Sequence, residues 1–161
     1  MKALLFSDSH GDVSGIRYLS SMAWPRTGHI DAYFHMGDGC EDMLVAERVL
    51  RDHDPDCRIY RVRGNCDYFV PDLKDEQVVE FGGAKIYMTH GHRHSVKTTL
   101  SILDDAAVDA GCSIALYGHT HAAAMDMRST LLINPGSVMN ERIGFLEVED
   151  GRPRIQLLYF G

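Results

Sequence analysis

Aspartate, asparagine and histidine side chains recur in short polar segments that follow apolar runs of the sequence. The segments are SDSHG, HMGDG, RGNCD, THGH and YGHTH, and they carry Asp8, His10, Asp38, Asn65, His90, His119 and His121. Oxygen and imidazole donors without thiolates are typical of sites for Mn²⁺, iron or Zn²⁺, whereas a structural zinc site would contain cysteine thiolates. Seven ligands are too many for one ion, but they serve two ions if one carboxylate bridges. This donor set is typical of two-metal hydrolysis.

The charge of such a centre indicates its substrate class. Two divalent ions, the carboxylates of Asp8 and Asp38 and one hydroxide leave a net charge of roughly +1, because the other ligands are neutral. A phosphate ester would be attracted to that charge. Each segment alone is more typical of a turn or a surface histidine than of a ligand. The inference therefore depends on the whole ordered set.

The first half of the chain predicts the elements that position these residues. Apolar patterning and the N-cap residue Asp12 indicate a β-α-β-α-β order, with the second helix followed by a third strand. The predicted spans are Lys2–Ser7, Asp12–Met22, Ala32–Met36, Glu41–Arg51 and Arg58–Val62, with Pro25–Gly28 ending the first helix. Since the carboxyl ends of parallel strands share one edge, their loops should line one crevice.

The second half of the chain follows a different pattern. Gln77–Phe81 and Lys85–Thr89 flank Gly82-Gly83, which predicts a hairpin and the start of a second sheet. A helix is predicted over Val96–Ala110 and a strand over Ser113–Tyr117. Short strands separated by turns should complete the chain.

Length and charge exclude several classes of protein. The chain has 161 residues, which fits a single domain. A net charge of −7 argues against a nucleic-acid surface, and Arg58, Arg61 and Arg63 are interpreted as a solvated strand face. No stretch approaches the roughly 20 apolar residues of a membrane span. The four cysteines show no C-x-x-C spacing, so reduced thiols and a cytoplasmic location are expected.

The ordered motifs D-x-H, G-D, G-N-x-D, H-G-H and G-H-x-H resemble those of the calcineurin-like metallophosphoesterase superfamily. With INPGSV (133–138), the short form is similar to the small YfcE-like phosphodiesterases, and the match spans nearly the whole chain. The resemblance implies an α/β fold of two packed mixed β-sheets flanked by helices, in four layers, as a single domain over residues 1–161. It also implies a metal-dependent phosphodiesterase of small phosphodiesters.

The resemblance further implies the two ligand sets. One ion would be bound by Asp8, His10, Asp38 and His121, and the other by Asp38, Asn65, His90 and His119. Asp38 would bridge two divalent ions, with manganese favoured over iron, zinc or nickel. A hydroxide shared by the ions would attack phosphorus in line. The catalytic residues would be Asp38, Asn65, Cys66 and His90.

Cys66 is a departure from many superfamily members, which have a proton-donating histidine at this point. A thiol with a pKa near 8.5 donates a proton weakly at neutral pH and can ionise beside two cations. His92 and His94 could donate instead, or could be surface residues of a histidine-rich loop. His35 is expected in the core rather than among the ligands. The identity of the general acid is left open.

Other functions remain as alternatives. The main one is a non-catalytic protein-interaction module like the retromer subunit that resembles this fold, against which the intact ligand set argues. A nuclease is disfavoured by the net negative charge of the chain, and a protein phosphatase is disfavoured because the GDxxDRG pattern is missing. Substrate specificity is expected in the loops Tyr68–Asp72 and His92–Thr98. The sequence leaves the physiological substrate and a homo-oligomeric state open.

Overall fold

The computed structural model describes residues 1–161 and contains ten β-strands and three α-helices. The strands are β1 (Lys2–Phe6), β2 (Ala32–His35), β3 (Arg58–Arg61), β4 (Glu76–Phe81), β5 (Ala84–Thr89), β6 (Ile114–Leu116), β7 (Ala124–Met127), β8 (Leu131–Asn134), β9 (Arg142–Glu149) and β10 (Arg152–Tyr159). The helices are α1 (Val13–Thr27), α2 (Cys40–His53) and α3 (Ser101–Asp109). Residues His92–His94 and Val138–Asn140 form short 3-10 helices.

The strands form two mixed sheets of five strands each. The first has the order β10-β9-β1-β2-β3. In it β1, β2 and β3 are parallel, β9 pairs antiparallel with β1, and β10 pairs antiparallel with β9. The second has the order β4-β5-β6-β8-β7, in which β5, β6 and β8 are parallel and the two edge strands are antiparallel. The predicted parallel start and the hairpin of the second sheet are both confirmed.

The core explains why the sheets pack face to face. Alternate residues of β1 point to opposite sides, so Leu5 joins Phe34 and Ile86 in a buried cluster between the two sheets. Leu4 and Phe6 point the other way, into a cluster beneath α1 and α2. The helix α3 covers the outer face of the second sheet. The resulting four layers confirm the fold predicted from the sequence.

The helix α1 begins as predicted but continues further. Its N-cap Asp12 accepts a hydrogen bond from the Gly15 N–H at 2.7 Å. The predicted break within Pro25–Gly28 is confirmed, because α1 ends at Thr27 with Gly28 as its C-cap, but the predicted last residue, Met22, is wrong because α1 continues through Pro25. The missing proline N–H removes one hydrogen bond near the end of the helix, where the Thr27 hydroxyl adds one to the Ala23 carbonyl.

The predicted helix over Val96–Ala110 is shorter in the structure, beginning only at Ser101. Ser95 has a φ of 53°, a left-handed conformation that stops the preceding 3-10 turn from continuing into the helix. The interpretation of the arginines as a solvated face is also wrong for Arg61 and Arg63, whose guanidinium groups bind backbone carbonyls. No helix of the protein has the length and apolar character needed to span a bilayer.

Candidate metal centre

Loops that leave the strand ends of both sheets meet at one edge of the molecule. Asp8 and His10 follow β1, Asp38 follows β2, and His90 follows β5. Backbone hydrogen bonds hold these loops together: the Asp8 N–H donates to the Gly37 carbonyl, and the His10 N–H donates to the Asp38 carbonyl, both at 3.0 Å. The edge therefore has a fixed framework that depends on main-chain contacts.

Five of the seven predicted ligands adopt left-handed backbone conformations, an uncommon state for residues other than glycine. Their φ angles are 54° for Asp8, 46° for His10, 55° for Asp38, 66° for His119 and 59° for His121. Such conformations persist where surrounding contacts enforce them, and they concentrate at functional sites. Here they turn the side chains of separate loops toward one another.

A first cluster consists of Asp8, His10 and His121. The Oδ1 atom of Asp8 lies 3.2 Å from Nε2 of His121 and 3.9 Å from Nε2 of His10. The two imidazole Nε2 atoms are 3.4 Å apart. The other oxygen, Oδ2, accepts hydrogen bonds from the Ser7 hydroxyl at 2.5 Å and the His119 N–H at 3.1 Å. Oδ1 is buried and has no hydrogen-bond partner, so this cluster fits a cation.

A second cluster consists of Asp38, Asn65, His90 and His119. The Nε2 atom of His90 lies 3.0 Å from Oδ1 of Asn65, 3.2 Å from Nδ1 of His119 and 3.4 Å from Oδ2 of Asp38. The Nδ1–H of His90 donates to the Met36 carbonyl at 2.6 Å. This bond leaves the lone pair of Nε2 directed at the cluster, as in a metal-binding histidine.

Asp38 lies between the two clusters. Its Oδ2 atom is 3.4 Å from Nε2 of His90 in the second cluster and 3.9 Å from Nε2 of His10 in the first. Its Oδ1 atom accepts a hydrogen bond from the Cys66 N–H at 2.7 Å, which fixes the carboxylate plane. One carboxylate oxygen therefore faces both groups of donors.

The charged groups of the second cluster shift one another's pKa. Burial raises the pKa of Asp38, but the facing His90 imidazole lowers it more, so the net pKa lies below its ordinary value. Burial lowers the pKa of His90, but Asp38 raises it more, and the net shift is upward. Burial and the charge of His90 lower the pKa of His119 to about 4. A cation bound here would therefore compete with a proton held by His90.

Asp67 supports the loop that carries Asp38, a role that the sequence analysis missed. Its carboxylate is buried and accepts hydrogen bonds from four backbone N–H groups, at 2.8 to 3.1 Å. The donors are Asp38, Gly39, Cys40 and Gly64. The only signal in the sequence was the final D of the RGNCD segment. Asp67 thus positions the loop without pointing at the clusters.

Asp42 has a similar role beside the first cluster. It accepts hydrogen bonds from the Ser9 hydroxyl at 2.6 Å and the Gly11 N–H at 2.8 Å. The Ser9 hydroxyl also lies 3.1 Å from Nε2 of His35, which is fully buried. His35 thus lies in the core and contacts the loop of His10, in agreement with the sequence analysis.

Gly64 shows how tightly these loops are packed. A Cβ atom added at this position would overlap the main-chain nitrogen and the carboxylate of Asp38. Any larger residue would push Asp38 out of its place between the clusters. The glycine is required by close approach rather than by a left-handed backbone.

The three candidate proton donors lie in different surroundings. Cys66 is exposed, and its sulfur lies within 4.8 Å of ligand atoms of His10 and Asp38. Burial and the charge of Asp38 raise the pKa of its thiol. The ring of His92 is 5.4 Å from that of His90, at the side of the second cluster.

His94 lies apart from the clusters. It is buried, with Nε2 3.3 Å from both the Tyr87 hydroxyl and Oε1 of Glu76. The interpretation of His94 as a surface residue is therefore wrong. Because the 3-10 turn directs its ring inward, it packs against β5 rather than facing solvent.

A cleft of about 370 Å³ extends from the clusters toward solvent. His10, Asp38 and Cys66 are among the residues that line it. The other lining residues are Gly11, Gly39, Glu41, Asp42, Asp67, Tyr68, Phe69 and Val70. This places part of the predicted specificity loop, Tyr68–Asp72, directly beside the candidate metal centre.

A comparison with protein-family models finds one that matches most of the chain, the calcineurin-like phosphoesterase superfamily domain, over residues 1–148. The chain belongs to this superfamily. The metallophosphoesterase family uses divalent metals, and the clusters described above provide suitable donors for them.

Relatives of this chain have names that describe an activity. It is 35% identical to the probable metallophosphoesterase YsnB of Bacillus subtilis over 145 residues, which cover 89% of this chain and 78% of that protein. It is 26% identical to the phosphodiesterase MJ0936 of Methanocaldococcus jannaschii over 174 residues, which cover 98% of this chain and 92% of that protein.

Solved structures agree with the fold. A Streptococcus pneumoniae protein described as a predicted phosphoesterase has a TM-score of 0.74 and 28% identity, covering 98% of this chain and 88% of that chain. Vps29 of Entamoeba histolytica, in a complex with Zn²⁺, has a TM-score of 0.72 and 20% identity, with 98% of each chain covered. At this identity the second likeness concerns the fold alone.

Proposed function

We propose that this metallophosphoesterase is a phosphodiesterase that hydrolyses small phosphodiesters with the help of two divalent ions, manganese in first place. The observation that carries this proposal is the position of Asp38, whose Oδ2 faces donors of both clusters at 3.4 and 3.9 Å. The name of the relative MJ0936, a phosphodiesterase, supports the choice of a diester as substrate. Iron, zinc and nickel are the alternative metals.

Two ligand sets share Asp38 in this proposal. Asp8, His10 and His121 would hold one ion, and Asn65, His90 and His119 would hold the other. Bound divalent ions supply Lewis acidity toward phosphoryl oxygens and a water-derived nucleophile at neutral pH. The unpartnered Oδ1 of Asp8 and the lone pair of His90 Nε2 support this assignment.

The side chains of the site position these groups and handle protons. The Met36 carbonyl keeps a proton on Nδ1 of His90, so this residue acts as a ligand rather than as an acid. Cys66 orients Asp38 through its backbone N–H, and a thiol, with an ordinary pKa near 8.5, is a weak proton donor at neutral pH. The departing oxygen therefore leaves largely as an anion, which favours substrates with acidic leaving groups.

The alternative of a non-catalytic interaction module is supported by the Vps29 likeness. Because that Vps29 is itself described in complex with zinc, metal content alone does not separate the two functions. Turnover separates them. The complete set of seven donors in this chain supports the enzyme.

We also propose a cytoplasmic location. All four cysteines are free thiols, and Cys40, Cys57 and Cys112 are buried. Unpaired buried thiols are typical of proteins that fold in a reducing compartment.

The test begins with protein stripped by a chelator and reloaded separately with Mn²⁺, Fe²⁺, Zn²⁺ or Ni²⁺. We expect metal-dependent hydrolysis of diesters that exceeds hydrolysis of the corresponding monoesters. Asp38→Asn should abolish turnover and lower the content of both ions, because it weakens a ligand that they share. The exposed Asp52, on the far part of α2, provides the matched control Asp52→Asn. Wild-type turnover and metal content in Asp38→Asn would show that the bridging assignment is wrong.

A further inference from the structure

Two aromatic side chains project into solvent beside the candidate metal centre. Tyr68 is 74% exposed and Phe69 is 93% exposed, and both line the same cleft as His10 and Asp38. A phenyl ring exposed to this degree contributes almost nothing to the stability of the fold through burial. Two adjacent exposed rings beside the site are therefore available to contact a ligand.

The loop that carries these rings is held by hydrogen bonds from the Arg63 side chain. The Arg63 guanidinium donates hydrogen bonds to the carbonyls of Asp67 at 3.3 Å, Val70 at 3.1 Å and Leu73 at 3.0 Å. Its Nε lies 3.5 Å from the carboxylate of Asp75. Three carbonyls fixed by one planar group give the loop a defined path. The rings are thus presented by an ordered backbone.

Glu41 lines the same cleft from the first turn of α2. Its neighbour Asp42 is engaged by Ser9 and Gly11, whereas the exposed Glu41 carboxylate makes no hydrogen bond or ion pair. An ionised carboxylate only accepts hydrogen bonds. A ligand that offers hydroxyl or amino donors together with a flat apolar face would complement this wall.

We propose that the cleft binds the nucleoside part of a small nucleotide phosphodiester, with the base stacked on Phe69 and Tyr68 and a ribose hydroxyl or base amino group donating to Glu41. This inference rests on the proposed function, since it places the phosphate at the metal clusters. Every nucleobase has a flat face for stacking, and a nucleoside supplies the donors that a simple alkyl ester lacks. The net charge of −7 favours a small nucleotide over a polymer.

The test measures equilibrium binding by calorimetry to the manganese-loaded protein, with adenosine 5′-monophosphate and inorganic phosphate as probes. We expect the nucleotide to bind more tightly than phosphate. Phe69→Ala should weaken nucleotide binding by about tenfold, from the loss of stacking, and leave phosphate binding unchanged. Glu41→Gln should weaken nucleotide binding severalfold. Matched controls are Tyr18→Ala, an aromatic residue 47% exposed on α1 outside the cleft, and Asp52→Asn.

The outcomes separate the two proposals. Equal affinity for nucleotide and phosphate, or an equal effect of Phe69→Ala on both, would overturn the nucleoside subsite while leaving the phosphodiesterase in place. A comparable loss in Tyr18→Ala would also overturn it. If the loaded protein neither binds phosphate nor hydrolyses any diester, the proposed function itself fails.

Discussion

Asp67→Asn tests whether one buried carboxylate organises the candidate metal centre. In the wild type, Oδ2 accepts from the N–H groups of Asp38 and Gly64, both at 2.8 Å, and Oδ1 accepts from Gly39 at 2.9 Å and Cys40 at 3.1 Å. The substitution keeps the size of the side chain but replaces one oxygen by an NH₂ group. One pair of N–H donors then faces another donor instead of an acceptor.

The magnitude follows from those two lost bonds. Each buried N–H group without an acceptor costs about 1 to 3 kcal/mol, so we expect the free energy of unfolding to fall by about 3 kcal/mol. In a domain of this size that corresponds to a decrease in Tm of about 6 to 12 °C. Because the displaced loop carries Asp38, metal affinity should fall by about 10- to 100-fold.

The effect should depend on pH in a defined direction. Burial raises the pKa of Asp67, but the backbone N–H donors lower it more, so the folded-state pKa lies below its ordinary value. The stability that Asp67 contributes is therefore fully present above the unfolded pKa near 4 and is lost as the pH falls through the folded value. The difference between wild type and Asp67→Asn should be constant from about pH 5 to 7 and narrow below about pH 4.

The assay is urea unfolding of the metal-free proteins at several pH values, followed by metal titration at neutral pH. Asp52→Asn, which changes an exposed carboxylate on α2, is the matched control and should unfold like the wild type. An Asp67→Asn variant within about 0.5 kcal/mol of the wild type, the range of ordinary surface substitutions, would refute the reasoning. So would a difference that does not narrow in acid.

Two further predictions concern the candidate proton donors. With Cys66 as a weak acid, kcat/KM should depend steeply on leaving-group pKa, and Cys66→His should raise the rates of alkyl diesters by up to about 10²- to 10⁴-fold if its imidazole reaches the departing oxygen. If kcat/KM of the wild type depends only weakly on leaving-group pKa, His92 already donates a proton to the departing oxygen. His94→Ala should lower the free energy of unfolding by about 1 to 3 kcal/mol, because the ring packs against Tyr87, and leave turnover and metal content unchanged. A loss of metal would contradict its separation from the centre.

Strand ends were the informative feature of the sequence. Apolar runs that stop at Asp8, Asp38, His90 and His119 predicted a shared edge, because parallel strands direct their carboxyl ends the same way. The two-sheet architecture followed from the hairpin at Gly82-Gly83 and from the resemblance of the motifs. Periodicity therefore placed the residues near one another, although it could not give their orientation.

The supporting contacts were not predictable in this way. Asp67 binds N–H groups up to 29 residues away, and no local pattern marks such a side-chain-to-backbone bond. Ser95 ends the 3-10 turn in a left-handed conformation, yet serine carries no strong signal for it. His94 lies in a histidine-rich segment that is typical of a surface loop, but its burial depends on the direction of a 3-10 turn. These features arise from tertiary packing rather than local propensity.

The position of β1 has a consequence for synthesis on the ribosome. This strand lies in the middle of its sheet and pairs with β9, so Leu4 meets Phe145. At about 5 to 20 residues per second, β1 waits roughly 7 to 30 s for that neighbour to be made. During this time its apolar edge is open to chaperones or to other nascent chains. The central position of β1 between β2 and β9 can therefore be completed only after residue 145 has been synthesised.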